Sequence, residues 1–236
     1  MSLTISGTTG IALPDGSVAA PSTRGQDANS GVSYGADSIK FSTGGVERMS
    51  ISNSGVVGAG GGKIGKVLQS VKTDTSSTGS TTGYVLPGTD QTGSGSVFCV
   101  KIQPSANDSK ILVLVDVCFS CNQIYYMDIL REVSSSDTNI YRGASATNKV
   151  HHTMGGYHDA DGGSTGNVSL TFKHNMHHVM SYLDSPGTTS EITYKLTFKV
   201  ASGGYDVLFN KNWGDGSNDA TSVRTASSIT CMEVLA

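Results

Sequence analysis

The side chains of this 236-residue chain that could do chemistry are concentrated in a few stretches. All six histidines, His151, His152, His158, His174, His177 and His178, fall between Lys149 and Val179. Imidazole is a common metal ligand, and alternate positions of a strand place side chains on one face. His152, His174 and His177 are therefore candidates for a metal site, one imidazole from each of several chains around an axis. His177 and His178 are sequence neighbours, so in a strand they face opposite ways and only one could join such a ring. Half-exposed polar residues on paired strands explain the same cluster more simply, and no resident metal or cofactor is expected.

The best binding feature is Trp213, the only tryptophan, set in Asn210-Lys211-Asn212-Trp213-Gly214-Asp215-Gly216. An aromatic ring on a polar loop, beside the amide of Asn212 and the ammonium of Lys211, suits sugar recognition by stacking and hydrogen bonding. The competing reading makes Trp213 a cap on the end of a core. Tyr157 with His158, beside glycines in a second loop, is the weaker candidate. Asp159-Ala160-Asp161-Gly162-Gly163 and Asp215-Gly216-Ser217-Asn218-Asp219 resemble calcium loops, but neither continues to the closing glutamate, and they read as turns.

For catalysis, Asp128 and Glu132 share a strand face, yet four residues is a wide separation for a glycosidase pair. No Gly-x-Ser-x-Gly elbow occupies a strand-to-helix turn. The chain reads as a non-enzyme. Cys118 and Cys121 have redox or zinc spacing, but in a strand they face opposite sides and no second pair completes a site. With Cys99 and Cys231 they read as buried thiols.

The elements that must carry these residues are strands. Hydrophobic residues make up 36%, charged residues 15%, and there are 30 glycines, with Ser and Thr enriched. Such a composition favours β-structure over helix. The net charge of −3 has no basic stripe, which argues against a nucleic-acid partner. No apolar run has the length of a membrane span and no secretion signal opens the chain, so membrane insertion is not expected and synthesis belongs to the cytoplasm.

Gly58-Ala59-Gly60-Gly61-Gly62-Lys63-Ile64-Gly65 is a seam between two modules, residues 1–57 and 66–236, and small residues here would serve close approach of several strands near an axis. Before it, Ser38–Ser52 reads as a hairpin: Ile39 and Phe41 alternate with polar residues, Gly44-Gly45 turns the chain, and Met49 and Ile51 alternate on the return. One hairpin is barely stable alone, so Ile39, Phe41, Met49 and Ile51 must pack on something, most economically on copies of themselves.

After the seam, strands are expected at 64–70, 96–102, 110–120, 123–132, 139–142, 168–172, 177–183, 191–200, 205–210 and 228–235. Ile111-Leu112-Val113-Leu114-Val115 is continuously apolar, as in a strand covered on both faces. Thr193 to Val200 alternates, as in a strand with one wet face. This pattern predicts a two-sheet sandwich of jelly-roll type.

Both modules resemble a known family. Asp15-Gly16-Ser17-Val18-Ala19-Ala20-Pro21-Ser22, Asn29 to Asp37, Ile39-Lys40-Phe41-Ser42, Gly45-Val46-Glu47-Arg48-Met49 and Ser54-Gly55-Val56-Val57-Gly58 are similar to a short β module of virion appendages in tailed bacteriophages, especially those of marine cyanobacteria. Lys66-Val67-Leu68-Gln69, Ser109 to Val113, Leu183 to Ser190, Thr193-Tyr194-Lys195, Arg224, Ser228-Ile229-Thr230 and Met232-Glu233-Val234 resemble the C-terminal, tumour necrosis factor-like jelly roll of the same fibres.

The resemblance implies a homotrimer, with intertwined N-terminal hairpins as a stalk and inner sheets meeting on a threefold axis. It implies a virion protein made in the host cytoplasm, a short tail fibre bound to other tail or capsid proteins through its N-terminal module. Its head is expected to adhere to a host-surface glycan or protein. The alternatives are a capsid head fibre or decoration protein without a specific receptor, and a glycan depolymerase. Little precedes the stalk-like stretch, where a long fibre would carry its own anchoring domain.

Overall fold

Residues that are β-branched or small and polar gain little from helix and more from pleated pairing. The computed structural model describes residues 15–53, 55–58, 63–121, 124–147, 150–156, 175–212 and 222–235. Among them there are seventeen strands and no helix, so the described chain is all-β. No helix among the described residues is long and apolar enough to cross a membrane. The chain divides into two compact units, Met1–Lys63 and Ile64–Ala236.

The first unit is an antiparallel meander of β1 (Thr23–Arg24), β2 (Gly31–Gly35), β3 (Ser38–Thr43), β4 (Val46–Ser52) and β5 (Gly55–Gly58). The expected hairpin is β3 with β4: Ile39 pairs with Ile51 and Phe41 with Met49. Gly44 and Gly45 form its turn at φ 59° and 74°. Positive φ at both central residues matches the twist of the flanking strands, and glycine adopts it without strain. The register adds β2 to the same face, with Tyr34 opposite Ile39 and Val32 opposite Phe41. Tyr34, Ile39 and Ile51 remain 36% to 39% exposed.

The glycine-rich seam is narrower than its composition predicts. Gly58 closes β5 and Lys63 opens β6 (Lys63–Lys72), which leaves only residues 59–62 between them, outside the described set. Gly65 lies inside β6, where an added Cβ would come within 2.9 Å of Glu233 Oε2 and 3.2 Å of Leu235 Cδ2. Close approach within one chain therefore explains this glycine.

The second unit continues with β7 (Ser76–Thr78), β8 (Tyr84–Val85), β9 (Cys99–Ile102), β10 (Lys110–Cys121), β11 (Tyr125–Val133) and β12 (Ser136–Ile140). It is completed by β13 (Met154–Gly156), β14 (Met176–Asp184), β15 (Ile192–Val200), β16 (Val207–Phe209) and β17 (Ser227–Leu235). In the first sheet β10 has β14 along one edge and β17 then β16 along the other, with β6 outside β17 and β7 outside β16. In the second, β15 lies between β11 and the pair β9 and β8, and β12 and β13 share the far edge of β11.

Period-two alternation selects the core. Ile111, Val113, Val115, Val117 and Phe119 of β10 are buried in one cluster with Met127 and Ile129 of β11 and Tyr194, Leu196 and Phe198 of β15. Phe119 meets Tyr125 edge-on at 4.8 Å and Phe198 at 5.5 Å, so aromatic packing joins the two sheets into a sandwich. At the border of this core Arg131 Nη1 donates to the two Asp184 oxygens at 2.9 and 3.1 Å, and the buried Tyr194 hydroxyl donates to Asp184 at 2.7 Å. Burial, then the bond to Asp184, pushes the Tyr194 hydroxyl's pKa far above its ordinary value.

Two expectations change. Leu112 and Leu114, expected to be covered, point out of the sandwich and are only half-buried. The strand expected at 139–142 starts earlier, at Ser136, because Ser134 and Ser135 take positive φ (49° and 65°) and make the hairpin turn without glycine. The strand expected at 168–172 lies outside the described residues. All four cysteines are buried and none is in a disulfide.

Candidate functional site

The two outer faces of the sandwich differ in chemistry. On the first sheet, Leu112, Leu114 and Asp116 of β10 lie in register with Met232, Thr230 and Ser228 of β17 and with Leu183, Ser181 and Val179 of β14. Val67 and Val71 of β6 extend this face, on the side where Gln69 Nε2 donates to Thr230 Oγ1 at 2.8 Å. Val179 is 74% exposed, Val67 53%, Val71 50% and Leu183 44%. Among the described residues, charge enters this face through Lys110 and through Asp116, which accepts from His177 Nδ1 at 3.0 Å.

The outer face of the second sheet is charged along its length. Lys195 of β15 bonds Glu132 Oε2 at 2.6 Å and Asp137 Oδ1 at 2.9 Å, and Lys101 of β9 bonds Asp90 Oδ2 at 3.0 Å. The Thr92 hydroxyl and Lys101 hold the Asp90 carboxyl well below the usual range.

Asp128, 5% exposed, organises a cleft on this face. It accepts Arg142 Nε at 2.9 Å and Nη2 at 2.6 Å, His152 Nδ1 at 2.7 Å and Thr153 N at 3.0 Å. Burial alone would raise the Asp128 pKa; the donors from Arg142, His152 and Thr153 outweigh it and leave the pKa lowered. Tyr126 precedes Asp128 by two residues on β11 and so shares its face. His152 packs on Tyr126 with ring centres 4.6 Å apart, and Lys199 Nζ of β15 lies 5.3 Å from the same ring centre.

The resulting cleft has a volume of about 200 Å³, with Asn139 and Thr197 also in its lining. A second depression of about 310 Å³, lined by Gly143, Val150 and His151, shares Tyr126 and His152 as its wall. Asp128 occupies two of the five guanidinium N–H groups of Arg142, whose side chain remains 30% exposed. The arrangement offers fixed hydrogen-bond donors around one saturated carboxylate. It is equipped for holding an acceptor-rich ligand.

Asn212, expected to face a receptor, is 1% exposed, so its amide is turned into the protein. Lys211 is half-buried, and its carbonyl accepts Ser120 Oγ at 3.1 Å. The neighbouring Asn210 is wholly buried and structural: its Nδ2 donates to Lys72 O at 2.9 Å and Asp74 O at 3.0 Å, and its Oδ1 accepts Ser227 Oγ at 2.7 Å. Trp213, Tyr157, His158 and His174 lie outside the described residues, as do both Asp-Gly loops.

His152 and His177 stand on the outer faces of different sheets, so a single chain does not bring them together. Among the described residues no three His, Cys, Asp or Glu side chains group as metal ligands. Asp128 and Glu132 do share a face, but each is tied to cations, and Asp128 is held ionised, the opposite of what a general acid needs. Sequence reasoning missed Tyr126, Arg142 and Lys199. Tyr126-x-Asp128 and the outward alternation of β15 were available as signals, whereas Arg142, two residues beyond β12, reaches Asp128 through the register of the β11–β12 hairpin.

No family model matches the chain, and no curated protein is similar to it. Among solved structures, the chain is similar to the infectious bursal disease virus VP2 subviral particle, with 11% identity and a TM-score of 0.32. The match covers 84% of this chain and 51% of that one, so this chain spans about half the length of that relative. A likeness this slight carries no argument about fold or function.

Proposed function

We propose that the chain is a non-enzymatic structural protein of a virion, a short homotrimeric tail fibre whose second unit is a jelly-roll head that adheres to a host-surface glycan. The observation that carries this reading is the contrast between the two outer faces of the sandwich. A charged face is at ease in water. A sheet face carrying Val67, Val71, Val179 and Leu183 at 44% to 74% exposure is the kind of patch that marks an interface.

The jelly-roll assignment rests on strand order. Counting end-to-end pieces as one, the strands β6, β9, β10, β11, β12, β14, β15 and β17 alternate between the sheets except at the β11–β12 hairpin, which stays in the second. Numbered one to eight, they give the order 1-8-3-6 in one sheet and 2-7-4-5 in the other. Two Greek keys produce this order. The occupant we assign to the apolar face is a second and a third copy of the chain, arranged in a closed ring. The half-exposed row Tyr34, Ile39 and Ile51, with Phe41 and Met49 beside it, supports the same association in the first unit, which would serve as stalk and bind other virion proteins.

Light scattering tests the trimer: the expected mass is three times the 24.4 kDa of one chain. Val67→Asp combined with Val179→Asp should give a folded monomer, and a monomeric wild type would sink the proposal. Antibody labelling of virions tests the placement. Label on the tail is expected, and label on the shell would favour a capsid fibre or decoration protein. Shortened host polysaccharide after incubation would overturn the non-enzymatic reading.

A further inference from the structure

We propose that the cleft around Tyr126, Arg142, His152 and Lys199 binds a carboxylate-bearing sugar, a uronic-acid unit of a surface polysaccharide. The inference rests on the adhesive reading above and adds to it a location and a ligand class.

The cleft is donor-rich by construction. Its one carboxylate, Asp128, already accepts four hydrogen bonds, from Arg142 Nε and Nη2, His152 Nδ1 and Thr153 N. That leaves three guanidinium N–H groups of Arg142, the second ring nitrogen of His152 and the ammonium of Lys199 for a ligand. Among the described residues Lys199 has no carboxylate partner, and its Nζ stands 5.3 Å from the Tyr126 ring centre. Placing a guanidinium, an ammonium and an imidazole in one cleft without a matching second anion favours an anionic ligand over a neutral one. Planar guanidinium groups hold carboxylates in particular.

The donors are also fixed in advance. The fork from Arg142 to Asp128 and the bond from His152 to the same carboxylate lock both side chains before any ligand arrives, which lowers the ordering cost of binding. A structural ion pair between Asp128 and Arg142 would need neither Tyr126 nor Lys199. Those two add an aromatic edge for sugar C–H groups and a second cation, while Asn139 and Thr197 of the lining can bond hydroxyls. At about 200 Å³ the cleft is below the size typical of drug-sized ligands, and it fits a single sugar unit. The adjoining depression of about 310 Å³ would take the next unit of a chain.

The test is a calorimetric titration of the whole chain with a tetramer of glucuronic acid, a neutral glucose tetramer and sodium sulfate. The uronate should bind at least about tenfold more tightly than the neutral tetramer, and more weakly as salt rises. Arg142→Lys should weaken it at least about tenfold and the half-exposed Lys199→Gln about fivefold, with melting curves of Lys199→Gln unchanged. Equal binding of the neutral tetramer, no uronate binding, or variants that bind like wild type would overturn the proposal. Sulfate binding as tightly as uronate would overturn it too, by leaving only a general anion site. Adhesion to host cells is scored separately: adhesion undiminished in Lys199→Gln removes the cleft and spares the adhesive reading. Loss of adhesion by wild type removes that reading, and the titration still judges the cleft.

Discussion

His178 is a histidine kept neutral by its surroundings. Its ring stacks on Phe119 at 4.7 Å, its Nε2 lies 3.1 Å from the Tyr125 hydroxyl, and burial, with His177 beside it, lowers its pKa. The unfolded value is about 6.5, so as pH falls the unfolded chain takes up the proton first. The contribution of His178 is thus complete above that value and is lost as the pH drops from it to the folded pKa. The melting temperature should decline as the pH falls below about 6.5, and less steeply in His178→Gln; parallel curves would assign the decline to another group.

Asp184 illustrates a different residue effect. Asp184→Ala would strip both Arg131 and the buried Tyr194 hydroxyl of their acceptor, and urea denaturation should register a loss of about 3 kcal/mol. The exposed Lys40–Glu47 pair, at 3.3 Å, is the control, where Lys40→Ala should cost under about 0.5 kcal/mol. Neither Asp184 nor Asp128 announces its role in sequence. One opens an Asp-Ser-Pro-Gly turn motif and the other follows Tyr125-Tyr126-Met127, and their partners come from other strands and loops. The cleft was accordingly half legible: His152 and Asp128 draw attention as residue types, while Arg142 and Lys199 look like ordinary surface cations.

At the scale of elements, legibility follows periodicity. The β3–β4 hairpin has alternation and a glycine turn, β10 a continuous apolar run and β15 a long alternation, and the expected bounds agree closely with the observed ones. β7, β8 and β13 are two or three residues long, too short for a period to register. They exist because a neighbouring strand offers an edge. β13 also depends on small residues: a Cβ on Gly156 would stand 2.7 Å from Tyr125 Oη, and the Tyr125 ring is buried and cannot retreat. Gly156→Ala should lower stability by about 1–3 kcal/mol through this overpacking. Gly203→Ala, with nothing near its Cβ, is the comparison, and equal losses in the two variants would show that the clash is relieved without cost.

At the scale of the molecule, a trimer ties stability to concentration. If the first sheet's outer face is covered by other copies, the melting temperature should rise with protein concentration in wild type and not in the Val67→Asp, Val179→Asp variant. A concentration-independent melting temperature over about a hundredfold range would speak against the interface. Composition and alternation made the sandwich legible. The pairing of strands distant in the chain was not, because period two says which side chains face in but not which edges meet.

That long-range pairing also sets a timetable for synthesis. β6 opens the second unit and lies beside β17, its final strand, with Gln69 and Thr230 bonded across 161 positions of chain. The meander, by contrast, pairs only strands adjacent in sequence and can zip as it leaves the ribosome. β17 also supplies Met232 and Thr230 to the outer apolar face, so that face is incomplete until β17 has been made. A chain stalled before Ser227 should therefore remain protease-sensitive beyond Ile64, and protection there would refute the timetable. In the proposed trimer β17 would then act as a checkpoint, admitting only chains that already carry it.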